Sequence, residues 1–85
     1  MSRNRHILIV DDEADLRQTL ARILQSAGYE VTTAENGRVA LSILNNAALD
    51  LVYLDIRMPD TDGLEILKAI HAYQPDLPVI LFTGR

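Results

Sequence analysis

The 85-residue chain contains no cysteine, which excludes disulfides, thiolate chemistry and thiolate-held metals together. It also lacks any cluster of basic residues, with eight Lys and Arg against twelve Asp and Glu and a net charge of −4. Without a basic stripe, direct nucleic-acid binding by this chain is not expected. Long hydrophobic runs are missing as well. The apolar stretch that follows residues 1–6 lasts four residues before Asp11. A signal peptide needs about 7–15 such residues and a membrane span about 20. The chain is therefore expected to be soluble and cytoplasmic, with no membrane partner. Its length allows one small domain, residues 1–85, and it carries no internal repeat, low-complexity tract or linker.

What is present is an alternation of strand and helix patterns. Residues 7–10, ILIV, form a short β-branched run of the kind buried on both faces of a parallel sheet. Leu16, Leu20, Ile23, Leu24 and Ala27 recur at helical spacing, and Gly28 stands at a helix end. Residues 30–34 have mixed polarity and suit an edge strand. Asn36 is placed to cap a second helix that turns Ala40, Leu41 and Leu44 inward. Residues 51–54 and 79–82 are two further buried strands. Between them residues 58–63 form a loop, and Leu64, Leu67 and Ile70 mark the inner face of a third helix that ends by Pro75. This β-α-β-α-β-α-β series predicts an α/β fold, an open parallel sheet in the order 2-1-3-4 with right-handed crossovers. One helix then covers one face and two cover the other. The fourth strand, as apolar as a central strand, stands at an open edge. Self-association through that edge is expected.

The C-terminal ends of three of these strands carry Asp11 and Asp12, Asp55, and Thr83. Parallel strands place those ends side by side, at the edge where open α/β sheets bind ligands. Such a cluster of carboxylates invites a cation. Oxygen ligands without Cys or His select Mg²⁺, with Mn²⁺ and Ca²⁺ as alternatives, and an Asp beside Mg²⁺ can attack phosphorus to form an aspartyl phosphate. Thr83 is placed to donate a hydrogen bond to a phosphoryl oxygen.

The segments ILIVDDE, LDIRMPDTDGLEIL and PVILFTG, in this order and spacing, resemble the receiver domain of two-component response regulators over nearly the whole chain. The resemblance implies a flavodoxin-like receiver fold and roles for particular residues. Asp12 would contact Mg²⁺ directly and Asp11 through water, with Asp55 and the main-chain carbonyl of Arg57 completing the metal ligands. Asp55 would accept a phosphoryl group from a sensor histidine kinase or phosphotransfer protein, Thr83 would be the switch hydroxyl, and a downstream output would respond. Receivers carry a fifth strand with a Lys and then a last helix. Neither lies within these residues, so the chain is expected to be a receiver truncated before the fifth strand.

Two other readings compete. A pseudo-receiver would act as an interaction or dimerisation module without phosphorylation. A phosphatase of the haloacid-dehalogenase type would need an Asp two residues after Asp55, where Arg57 stands; the chain is accordingly not expected to be an enzyme. His6 and His71 are assigned to the surface or a helix face, Asp60 and Asp62 to a loop, Glu13 to the start of the first helix, and Tyr53 to packing against a helix.

Overall fold

A computed structural model describes residues 4–58 and 62–82. Its elements are β1 (His6–Val10), α1 (Ala14–Ser26), β2 (Glu30–Ala34), α2 (Gly37–Asn46), β3 (Leu51–Asp55), α3 (Gly63–Tyr73) and β4 (Val79–Phe82). The strands form one sheet in the order β2-β1-β3-β4, and every neighbouring pair is parallel. The expected order is the observed one. β2 lies at the edge because it alternates Glu30, Thr32 and Thr33 with apolar residues, whereas β1 and β3 are apolar on both sides.

The larger part of the core lies on one face of the sheet, although Ile7 and Ile9 are buried on the other. Leu8, Val10, Val52 and Leu54 point to the face covered by α2 and α3, where they pack with Ala40, Leu44, Ile66 and Ile70. Ile7, Ile9, Leu51, Tyr53 and Ile80 point to the opposite face, where α1 is the only helix among the described residues. No residue of α1 is fully buried. Ile23, expected to face inward, is 59% exposed, since one helix cannot roof four strands and this side chain overhangs the uncovered part. The inner face of α3 also differs from expectation. Leu64 is 50% exposed, while Gly63, Ile66 and Ile70 are buried and Leu67 is partly so. The reason is the close seating of the first turn. A Cβ on Gly63 would lie 2.3 Å from Ile56 Cα, so the helix enters against the β3 end and turns Ile66 rather than Leu64 into the core.

Local signals account for the helix ends. Asn36 Oδ1 accepts the Val39 N–H at 2.9 Å, the expected cap of α2. Asp62 does the same for Leu64 at 2.9 Å. After α1, Gly28 takes a φ of +100°, and the Tyr29 N–H returns to the Leu24 carbonyl at 3.1 Å. The α3–β4 connection folds Leu77 into the core before Pro78 delivers the chain to β4.

Candidate functional site

β1 and β3 are direct neighbours, and their register pairs Val10 with Leu54. Asp11 and Asp55 therefore leave the sheet side by side, each one residue beyond that pair. Both backbones stay tied to the sheet here: Asp11 N–H donates to the Ala34 carbonyl at 3.1 Å and Ile56 N–H to the Phe82 carbonyl at 3.0 Å. Both carboxylates are fully buried. Asp11 Oδ1 accepts the Glu13 N–H at 2.8 Å, and Asp55 Oδ1 accepts the Arg57 N–H at 2.9 Å. Each is an Asx turn that fixes its side chain and bends the chain away from the edge.

Asp12, half-buried, completes the group: one carboxylate oxygen from each of Asp11, Asp12 and Asp55 lies within 4.8 Å of the others. Two like charges at that distance repel by roughly 3–4 kcal/mol at an effective dielectric near 20. A cation removes the repulsion. The donors are all hard oxygens, and 4.8 Å is a little wider than the roughly 4 Å between opposite ligands around Mg²⁺. The set thus fits an ion held directly by some carboxylates and through water by another. Cavities of about 500 and 340 Å³ lie at the other end of the strands, around Leu49 and Asp50. A hydrated ion at an open sheet edge needs no such enclosure.

Two residues of this neighbourhood carry no signal in the sequence. Arg17 reaches back from α1 so that its Nη1 donates to the Asp11 main-chain carbonyl at 2.6 Å. Tyr53, on the α1 face, stacks at 5.5 Å against Phe82 rather than only against a helix. Burial raises its phenol above the usual value of 10, and the negative charges of Asp11 and then Asp55 push it the same way. An Arg on a helix and a Tyr in a strand are common, and only the fold aims them here. Met58, buried at 6% exposure, pins the loop after β3 to the core. Thr83 lies outside the described residues, as does Asp60. His6 sits at the far end of β1, its Nε2 2.6 Å from Thr32 Oγ1, and His71 is exposed on α3. No helix among the described residues is long and apolar enough to cross a membrane.

The response regulator receiver domain family matches residues 7–85. The transcriptional regulatory protein GlrR of Escherichia coli is 44% identical over 79 residues, which is 93% of this chain and 18% of GlrR. The chain thus spans less than a fifth of that relative. Among solved structures, the chemotaxis protein CheY4 of Vibrio cholerae superposes with a TM-score of 0.93 at 35% identity, over 98% of this chain and 71% of that one. The response regulator TrrA of Thermotoga maritima, solved in complex with Mg²⁺ and BeF, is 44% identical, with a TM-score of 0.89 over 95% of this chain and 70% of its own. TrrA has also been solved in complex with the histidine kinase ThkA. With this fold and this acidic edge, the chain belongs to the response regulator receiver domain family of two-component signalling.

Proposed function

We propose that Asp55 accepts a phosphoryl group from a phosphohistidine on a sensor histidine kinase or phosphotransfer protein, and that this acyl phosphate switches a downstream output in the cytoplasm. The observation that carries the reading is the convergence of the Asp11, Asp12 and Asp55 carboxylates within 4.8 Å at the strand ends. An oxygen of the Asp55 carboxylate attacks phosphorus; the P–O bond forms as the P–N bond to the donor imidazole breaks, and the leaving nitrogen takes up a proton. Asp12, Asp55 and the Arg57 main-chain carbonyl would hold Mg²⁺, with Asp11 assisting; Mn²⁺ would suit the same donors. When bound, Mg²⁺ neutralises the carboxylates and the incoming phosphoryl oxygens. The Asx turn to Arg57 keeps one Asp55 oxygen fixed while the carboxylate reacts. Thr83, outside the described residues, is assigned the hydroxyl that would contact the phosphoryl group.

TrrA, with Mg²⁺ and BeF in one structure and a histidine kinase in another, supports both the ion and the class of partner. The phosphorylation-independent module is the weaker reading, because mere docking would leave a repulsive, buried acidic cluster without a use. Incubation with a small acyl phosphate and Mg²⁺ separates the possibilities. One phosphoryl group per chain supports the acceptor, continuous turnover would make it a phosphatase, and no uptake would leave the docking module.

A further inference from the structure

Asp11 and Asp55 are fixed at the acidic edge by their own Asx turns, to the Glu13 N–H at 2.8 Å and the Arg57 N–H at 2.9 Å. Asp12 is reached differently, through its main chain. It lies in the turn between β1 and α1, and α1 starts at Glu13 without the side-chain cap that Asn36 gives α2 and Asp62 gives α3. Arg17 takes that part. From the first turn of α1 its Nη1 donates to the Asp11 carbonyl at 2.6 Å, a charge-assisted bond and a short one. Asp11 is thereby gripped at three points. Its N–H donates to the Ala34 carbonyl of β2 at 3.1 Å, its carboxylate accepts from Glu13 and its carbonyl accepts from Arg17.

The carbonyl that Arg17 holds belongs to the peptide joining Asp11 to Asp12. A peptide is planar, so the direction of this C=O sets where the Asp12 Cα lies. Asp12 is half-buried there and brings a carboxylate oxygen within 4.8 Å of Asp11 and Asp55. Rotation of the peptide would carry that oxygen away from the other two. We propose that Arg17 is a positioning residue of the acidic edge, holding the Asp11–Asp12 peptide so that Asp12 meets a divalent cation together with Asp55. The proposal rests on the reading of this edge as an Mg²⁺ site. Charge and position act in opposite senses here. A guanidinium beside the edge repels a second cation, and for a partly exposed group that changes affinity by less than about fivefold. Loss of a group that orients a metal ligand costs about tenfold or more. Position therefore outweighs charge, and the sign of the effect separates the two roles.

Arg17→Met keeps the apolar stem and removes the donor. Arg17→Lys keeps a charged donor, which suffices for a single bond to a carbonyl that does not use the guanidinium fork. Arg22→Met removes the same charge from an exposed place on α1. Titration with Mg²⁺, followed by backbone amide NMR, should show affinity about tenfold weaker in Arg17→Met, largely restored in Arg17→Lys and unchanged in Arg22→Met. In the metal-free chain the Glu13 amide, which donates to Asp11 Oδ1, should exchange with solvent about tenfold faster in Arg17→Met. The Val10 and Leu54 amides, inside the sheet, should keep their wild-type rates. The proposal is overturned by an Arg17→Met chain that binds Mg²⁺ as well as the wild type or better, by an equal loss in Arg22→Met, or by an unaltered Glu13 amide. A wild-type chain indifferent to Mg²⁺ would overturn the metal reading itself. The Glu13 amide, read without metal, tells that failure apart from a failure of Arg17 to hold the turn.

Discussion

Asp11 and Asp55, buried side by side at the ends of adjacent strands, are held by the same device: each accepts the main-chain N–H two residues ahead, at 2.8 Å from Glu13 and 2.9 Å from Arg57. The device fixes both carboxylates before any ligand arrives. It leaves the chain with preorganised negative charge whose relief by a cation is a source of stability.

Mg²⁺ should accordingly raise the melting temperature. At ten times its dissociation constant a ligand stabilises by about 1.4 kcal/mol, which for a domain this small is roughly 6–11 °C. Asp12→Ala should abolish that response and raise the melting temperature of the metal-free chain, since removing one of the clustered charges relieves part of the repulsion. Thermal scans with and without Mg²⁺ check both signs. An Asp12→Ala chain that responds like the wild type would contradict the assignment.

Gly63→Ala should be among the most damaging single changes outside the acidic cluster. The added methyl would meet Ile56 Cα at 2.3 Å, and backbone atoms cannot step aside as a side chain can. A loss of about 1–3 kcal/mol follows from overpacking of this kind, measured by urea unfolding. Gly28→Ala meets no neighbouring atom but requires φ of +100°, so its cost is backbone strain alone.

Tyr53 predicts an alkaline limit to stability. Its phenol is raised by burial first and by Asp11 and Asp55 next, so the folded chain holds the proton where the unfolded chain has lost it. The stabilisation is complete below pH 10 and declines as the pH rises from there through the folded value. Tyrosinate absorbance should place the Tyr53 midpoint above 10. Asp55→Asn should bring the Tyr53 midpoint down; a wild-type Tyr53 midpoint at or below 10 would speak against this environment.

The two sheet faces should respond unequally to truncation. Leu54→Ala, inside the closed core, should cost about 2–5 kcal/mol. Ile23→Ser, on the overhanging side of α1, should stay within about 0.5 kcal/mol. Comparable losses at both positions would mean that the α1 face is as tightly covered as the other.

The order of strands was legible because β2 alone has mixed polarity, and the acidic edge because three apolar runs end in Asp or Thr. Asn36 was legible as a cap for the same local reason. What escaped was tertiary. The periodicity of α3 admits either Leu64 or Ile66 as an inward residue, and only the contact of Gly63 with Ile56 decides between them. Ile23 fits the helical stripe of α1, yet the helix shares its face with uncovered strands. Arg17 reaches the site from the first turn of α1, and no spacing rule singles out an Arg whose partner is a main-chain carbonyl.

Asp55 as the phosphoacceptor is tested most directly by intact-protein mass spectrometry after incubation with a small acyl phosphate and Mg²⁺. One added phosphoryl group, removed by hydroxylamine and absent from both Asp55→Asn and the metal-free reaction, is the predicted result. A phosphoryl group that resists hydroxylamine, or one that Asp55→Asn still acquires, would contradict it.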